Sequence, residues 1–496
     1  MLETLGIPNI WVGVSLALAL AFVLAFEFIN GFHDTANAVA TVIYTKAMSP
    51  YRAVMLSGVF NFLGVLLGGV GVAYTIVHLL PVELLINVDT GRGLAMVFSL
   101  LAAAIAWNLG TWYFGIPASS SHTLIGSILG VGMSNALLND LSIAQGVNWQ
   151  KALDVILSLI LSPLAGFLVA GLILVGLKRW RPISRMHAVP KIHAAPETRA
   201  DQKLRKKPPF WNRLVLVLSA IAVSFVHGSN DGQKGVGLIM LVLIGFVPAH
   251  YVLNLYASPY QIERTRDAAA HMRSFYERNL DKLGTFATSP ASSQTDPAAS
   301  AHRCEIARTR ETIQSLLNHL QDIDHYARLD AEQRVHVRRG LLCLDDMARQ
   351  VGKLPGLDPQ EKADLDRLRK DLTATTEYAP VWVIFAIALA LGLGTVVGWR
   401  RVVYTVGERI GKQGMTYAQG MSAQITAALA IGAANLYSLP VSTTHVLSSG
   451  VAGTMVANRS GLQSSTVKAI LTAWVLTFPA AMFLAAALFW LATRII

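Results

Sequence analysis

Two aspartates stand in related polar settings. Asp34 lies in "NGFHDTANAVA" at 30–40, and Asp231 lies in "HGSNDGQKGVG" at 227–237. Each motif follows a strongly apolar stretch. Ionisable groups inside a membrane are expensive and usually mark a substrate or ion path. Glu27, Asn30 and Asp34 fall at i, i+3 and i+7, so they share one helix face. Asp34 with Asn37, and Asn230 with Asp231, offer hard oxygen ligands that suit Na⁺ or a proton. A second pair of motifs is rich in hydroxyls. In "GIPASSSHTLIGSILG" at 115–130, Ser119, Ser120, Ser121 and Thr123 surround His122; in "SLPVSTTHVLSSGVAG" at 438–453, Ser442, Thr443 and Thr444 precede His445. Pro117 and Pro440 sit just upstream, at the expected start of a helix. The hydroxyls then fall in a first turn, where free backbone N–H groups and the helix dipole favour anions. Two such termini converging would make a cage of neutral donors for a tetrahedral oxyanion. The plainer alternatives are Ser and Thr that cap or back-bond their own helices, and an aspartate network that only pins broken helices.

These residues need elements to hold them. The chain has 496 residues, 53% hydrophobic and only 14% charged, against about 25% charged in a soluble domain. Apolar runs near 10–30, 53–78, 93–113, 116–134, 150–177, 212–228, 234–256, 380–399, 416–435, 439–456 and 470–492 approach or reach the roughly 20 residues that cross a bilayer. The reading is an all-α polytopic membrane protein; a β-barrel would show short alternating segments instead. The first run is read as a span and not as a cleaved leader, since Glu3 lies there and the first Lys or Arg is Lys46. The stretch 178–213 carries 11 Lys and Arg residues against Glu197 and Asp201. Five spans from an outside N-terminus put that stretch in the cytoplasm. The net charge of +11 then reports topology, and no nucleic-acid partner is expected.

The motif pairs recur in the same order. Asp34 to Asp231 is an offset of 197 and His122 to His445 one of 323; the difference, 126, matches a polar insertion near 257–378. Applying the second offset carries 53–78 and 94–113 onto other apolar runs. The expected architecture is two inverted repeats of about five spans each with broken or re-entrant helices, plus a small soluble helical insertion. Such repeats point to a secondary-transporter site between them. The expected organisation is 1–177 as first repeat, 178–211 as basic cytoplasmic linker, 212–256 as start of the second repeat, 257–378 as insertion and 379–496 as the remainder. In the insertion, Ile306, Ile313, Leu316, Leu320 and Ile323 form one apolar stripe, and Leu341, Leu344, Met347 and Val351 suggest another. "ATSPASSQTDPAAS" reads as a linker. Cys304 and Cys343 lie in no metal-ligand spacing and argue against a disulfide scaffold.

On these motifs the chain resembles the PiT family of inorganic phosphate transporters, above all its bacterial low-affinity PitA-type branch. The resemblance covers nearly the whole chain. It is carried by "GFHDTANA", "PASSSHT", "HGSNDGQKG", "PVSTTHV", "FNFLGVLLGG" and "KQGMTYAQGMSAQ". It implies an inner-membrane, multi-pass, cation-coupled phosphate symporter with no enzymatic activity and no cofactor, and a homodimer in the lipid bilayer. In the PitA-type branch it implies proton coupling and acceptance of neutral metal–phosphate complexes. It implies phosphate contacts from Ser120, Ser121, Thr443 and Thr444, to which Thr123, Ser442 and Gln424 are added as candidates. It implies cation-linked roles for Asp34, Asn37 and Asp231, joined here by Glu27, His33, Asn230 and Lys234. No resident metal site is expected. Sodium-coupled relatives look like G-x-N-D-x-x-N in both repeats. Here His33 replaces one Asn and Lys234 another, which puts sodium coupling in doubt. Gln424 stands where those relatives tend to carry glutamate; it would either donate to phosphate or bridge helices.

Three rivals stay open at the sequence level. One is a sodium-coupled phosphate carrier on the same scaffold. Another is a sulfate permease, which Asp34 and Asp231 disfavour because sulfate has no proton to donate to a carboxylate. The third is a membrane-embedded hydrolase using Ser121 and His122. Adjacent helical residues do not face each other, so that pair would have to form between repeats.

Overall fold

In the computed structural model, residues 10–80, 90–182, 184–189, 209–278, 309–352 and 357–495 are described. Most of them are helical. α1 (Ile10–Asp34) and α2 (Ala36–Tyr44) are nearly one helix, interrupted at Thr35. The Thr35 hydroxyl lies 2.7 Å from Gly31 O and 2.9 Å from Thr395 O and gives its one hydrogen to either of them. Asp34 therefore ends a helix inside the protein. α3 (Pro50–Leu67) starts with Pro50 at its first position, where a missing N–H costs nothing. A break follows at Gly69, whose φ of +81° suits glycine, before α4 (Gly71–Val77). Gln233 spans this break. It accepts from Val72 N at 2.8 Å and donates to Gly68 O at 2.8 Å. α5 (Thr90–Tyr113), α6 (Ser120–Leu138) and α7 (Trp149–Trp180) follow.

The runs 212–228 and 234–256 were expected to be separate. They are joined instead, as α8 (Phe210–Phe246), 37 continuous residues. At 1.5 Å per residue it is about 55 Å long. Its glycines do not break it, because they let neighbouring backbones approach. A Cβ at Gly237 would lie 2.5 Å from Ala73 O. Several of its polar side chains also reach other helices: Ser219 bonds Gln424, His227 bonds Asn61 and Asn230 bonds Asn435. After α9 to α12, described below, come α13 (Val381–Val396) and α14 (Arg400–Tyr404), which runs on into a π turn (Thr405–Arg409). These two arms bend by 57° at Gly398, whose φ is +71°. α15 (Tyr417–Leu436), α16 (Thr443–Ala457) and α17 (Ser464–Ile495) follow.

Among the described residues, six helices are long and apolar enough to span a membrane, or seven if the bent pair is one span. α6, α15 and α16 fall outside that set. α16 has 15 residues, about 22 Å, which is short of a hydrocarbon core of about 30 Å. Instead α6 lies along α17 and α16 along α7. Small residues permit this: a Cβ at Gly126 would lie 2.7 Å from Phe478 O, and one at Gly166 2.5 Å from Val446 O. Close backbone approach through glycine is how membrane helices gain packing without a hydrophobic driving force.

The chain divides into two compact units. The larger contains, among described residues, 17–80, 90–182, 184–189, 209–242 and 379–495. The smaller contains 10–16, 243–278, 309–352 and 357–378. Its helices are α9 (Pro259–Arg278), α10 (Thr309–Leu320), α11 (Ala331–Val351) and α12 (Pro359–Thr373). Ile313, Leu316, Leu320, Leu341, Leu344, Met347 and Val351 are all buried there. Ile306, Cys304 and the "ATSPASSQTDPAAS" stretch lie outside the described residues, as does most of the basic linker. Contrary to the cysteine reading, Cys343 is disulfide-bonded. Arg338 is 1% exposed and donates through Nη1 to Val252 O at 2.7 Å and Thr376 O at 3.1 Å. It thereby joins the chain entering this unit to the chain leaving it. Hydrogen bonds from a charged group are worth about 1.5–3 kcal/mol each. Arg338→Ala should therefore destabilise the unit by about 3 kcal/mol, with the lost side-chain packing adding to the effect. Limited proteolysis of the purified full chain should show cleavage within 243–378 well before wild type. Unchanged resistance would contradict this anchoring role.

Candidate functional site

The hydroxyl motifs form two capped helix starts. Ser119 accepts from His122 N and Ser442 from His445 N, each at 3.2 Å. The sequence suggested that Pro117 and Pro440 open these helices. They lie two residues before the caps instead, because the first helical residues are Ser120 and Thr443. Within their helices the N–H groups of Ser120, Ser121, Thr443 and Thr444 have no carbonyl partner.

Asp34 stands between these two termini. Its Oδ1 accepts from Thr444 Oγ1 at 2.8 Å and faces His33 Nδ1 at 2.9 Å. Its Oδ2 accepts from Ser120 Oγ at 3.2 Å and Thr443 Oγ1 at 3.4 Å. Asn37 Nδ2 donates to Thr443 Oγ1 at 3.2 Å and Thr444 Oγ1 at 3.0 Å. The other ring nitrogen of His33 lies 3.1 Å from Thr111 Oγ1. Every one of these residues is buried. The cage hydroxyls are thus turned onto a carboxylate.

A second cluster adjoins the first. Lys234 Nζ donates to Asp231 Oδ1 at 2.6 Å, to the Ser121 hydroxyl and to Val441 O at 3.4 Å. Ser121 Oγ in turn donates to Val441 O at 2.8 Å. The lysine therefore ties one aspartate to one cage serine. Asp231 Oδ2 and His227 Nε2 have no hydrogen-bond partner and are buried. They lie 3.4 Å apart, with Asp34 Oδ2 3.8 Å from the same nitrogen.

The ring of His227 is oriented by a relay. Asn61 Nδ2 donates to Thr395 Oγ1 at 2.8 Å, and Thr395 donates to Leu391 O at 2.8 Å. The Asn61 amide oxygen is left to accept from His227 Nδ1 at 3.0 Å. With Nδ1 held by Asn61, Nε2 of His227 faces both carboxylates. That arrangement calls for a positive charge. Asp34, His227 and Asp231 each offer one ligand atom within 4.8 Å of the others, a group able to hold a metal ion. The sequence reading missed His227 and Asn61. His227 lay in the quoted motif at i, i+4 from Asp231, and this helical spacing was the available signal.

Other candidates lie elsewhere. Thr123 Oγ1 back-bonds to Ser119 O at 3.0 Å. The Ser442 hydroxyl is committed to its cap. Gln424 accepts from Ser219 Oγ at 2.7 Å and donates to Ala38 O at 2.9 Å, so it bridges helices. Asn230 donates to Asn435 Oδ1 at 2.6 Å and Leu439 O at 3.1 Å and accepts from Val441 N at 3.3 Å. It holds the approach to α16. Glu27 is buried and bonded to Asn30 at 3.4 Å, with no bond to the cage.

Comparison with known proteins gives the family. The model of the phosphate transporter family matches residues 30–485. The chain is 52% identical to the low-affinity inorganic phosphate transporter PitA of Escherichia coli (strain K12), with 100% of both chains covered. It is 50% identical to PitB of the same organism, with 98% of each chain covered. A solved structure of "the sodium-dependent phosphate transporter" aligns with a TM-score of 0.53 at 20% identity, covering 97% of this chain and 100% of that one. This last likeness speaks for the fold alone.

Proposed function

The chain belongs to the phosphate transporter family as a multi-pass membrane protein of PitA type, and from that premise we propose that it imports phosphate across the inner membrane as a proton-driven symporter. One observation carries the coupling argument. Ser120, Thr443 and Thr444 each donate to Asp34. A hydroxyl has one hydrogen, so it cannot serve the carboxylate and a phosphate oxygen together. Phosphate must take donors from Asp34. A buried carboxylate that loses them is penalised by about 1–3 kcal/mol per bond, and more for a charged group. Positive charge arriving beside Asp34 removes that penalty. Anion and cation then enter as a pair.

The residues favour the proton over sodium. Lys234 and His33 stand where sodium-coupled relatives have oxygen ligands, and the Lys234 ammonium already fills one side of Asp231. An Asp–His–Asp set suits a divalent transition metal better than Na⁺. This supports a metal–phosphate complex as a transported form, its metal seated at Asp34, His227 and Asp231. Phosphate is favoured over sulfate because HPO₄²⁻ can donate its proton to Asp34. A disulfide persists in an oxidising compartment, so the bonded Cys343 supports the non-cytoplasmic side for the insertion. Protease accessibility in spheroplasts reads that side directly. The inverted repeat and the homodimer remain part of the proposal, supported by the duplicated motifs and the family resemblance.

The deciding experiment is uptake into proteoliposomes under an imposed pH gradient, with and without sodium, and with sulfate as competitor. Accumulation that follows the proton gradient without Na⁺ is expected. Accumulation that needs Na⁺ and ignores pH would overturn the proton reading. The cage makes its own prediction. Ser121→Ala and Thr444→Ala should each weaken phosphate affinity by about tenfold or more, since a hydrogen bond to a charged group is worth about 1.5–3 kcal/mol. Initial uptake rates against phosphate concentration test this. Wild-type affinity in the double variant would dismiss the cage.

A further inference from the structure

Glu27 is the one buried charged side chain on α1 and α8 outside the Asp34–Asp231 group. It lies seven residues before Asp34 and is 0% exposed. Its Oε2 accepts a long bond from Asn30 Nδ2 at 3.4 Å. Its Oε1 has no hydrogen-bond partner. The carboxyl is pressed onto α8 at Gly235, next to Lys234. A Cβ at Gly235 would lie 2.5 Å from Glu27 Cγ, 2.6 Å from Cδ and 2.7 Å from Oε1. Only glycine leaves room for this carboxyl. The titratable groups in electrostatic range are Asp231, Lys234 and His227, all on α8. α13, which packs on α1 at Gly31, carries none. α5 carries only Arg92 and Tyr113, both exposed.

A carboxylate with an unbonded oxygen is poorly tolerated away from water, whereas a neutral carboxyl needs few partners. Of the charges in range, Asp231 opposes the ionised form, while Lys234, His227 and the Asn30 bond support it. Both protonation forms of Glu27 are therefore supported, while its bonds are separate from those of the hydroxyl cage. The other half has no equivalent. At the offset of 197, Glu27 corresponds to Ser224, which bonds Ala220 O at 2.8 Å and Ser57 Oγ at 3.0 Å.

We infer that Glu27 relays the coupled proton to and from the Asp34–His227–Asp231 group, taking it up as a neutral carboxyl and giving it up as a carboxylate. This rests on the proton reading above and names a residue on the proton's path. Only an O–H bond forms and breaks, and no electrons are transferred. The ionised form waits in the notch at Gly235, within electrostatic range of Lys234 and His227, until the next proton arrives.

The test uses the full chain in proteoliposomes, as wild type, Glu27→Gln and Glu27→Asp. Two assays are compared: accumulation driven by a pH gradient, and phosphate exchange at equal pH and equal phosphate. Glu27→Gln is expected to keep exchange and lose pH-driven accumulation, with a flattened pH profile. Glu27→Asp is expected to recover part of it. A wild type that ignores the pH gradient overturns the proton reading and this inference together. A wild type that responds, beside a Glu27→Gln protein that responds equally, overturns this inference alone. Loss of exchange as well, in a protein that still binds phosphate, also counts against it. If Glu27→Gln does not fold, dicyclohexylcarbodiimide decides on wild type, because it modifies buried protonated carboxyls. An adduct on Glu27 by mass spectrometry is expected, and its absence at every pH tried overturns the assignment.

Discussion

Asp34→Asn should insert normally, bind phosphate and fail to accumulate it. The carboxylate accepts from Ser120, Thr443 and Thr444 and faces His33. Asparagine keeps the size and one acceptor oxygen but removes the charge. The amide competes less strongly for the three hydroxyls, since bonds to an ionised acceptor are roughly twice as strong as neutral ones. Phosphate binding to purified protein should therefore persist. What disappears is the reason for a cation to accompany the anion. Gradient-driven uptake should collapse to the level of passive equilibration, read as the internal-to-external phosphate ratio in proteoliposomes. Concentrative uptake at the wild-type level would remove Asp34 from the coupling mechanism.

Lys234→Asn should have the next largest effect. Lys234 is 1% exposed and pairs with Asp231 at 2.6 Å. Removing one member of a buried pair typically costs about 3–5 kcal/mol, because the other is left uncompensated. Asp231 would then face His227 alone, and Ser121 would lose its donor. Proton-driven uptake should fall by about a hundredfold if the lower end of that cost is expressed in transport. The asparagine also restores an oxygen ligand beside Asp231, so sodium should gain a foothold. Thermal melting of the purified variant in sodium against choline reads this directly. A raised melting point in sodium, absent in wild type, is expected. A variant as stable as wild type, indifferent to sodium and fully proton-driven, would show that Lys234 is a bystander.

Much of the site was legible because its chemistry is concentrated in short motifs. Asp34, Ser120 and the Thr443–Thr444 pair lie far apart along the chain, yet each sits at a helix end marked by local residue types. Such ends can be read from a window of ten residues. Gln424 could not be assigned that way. Its two readings, donor to phosphate or bridge between helices, differ only in what stands opposite it, and Ser219 and Ala38 stand there. Thr123 had the right type and neighbourhood, but one position beyond the first turn its hydroxyl back-bonds to the helix. His227 went unnoticed because its meaning depends on Asn61 and Thr395, residues that look unremarkable in their own segments.

The sequence by itself determined the membrane class, the polar positions and their duplication. These follow from composition, run length and the cost of placing charge in lipid, which are local quantities. Only the tertiary structure decided that α8 is one uninterrupted helix, since its glycines serve neighbouring backbones. It also decided that hydroxyls of both helix ends are spent on Asp34, and that Glu27 rests in the notch at Gly235. Both outcomes depend on which surfaces meet. A hydrogen bond or a missing Cβ acts over a few ångströms between residues hundreds of positions apart, and sequence spacing carries no record of that distance.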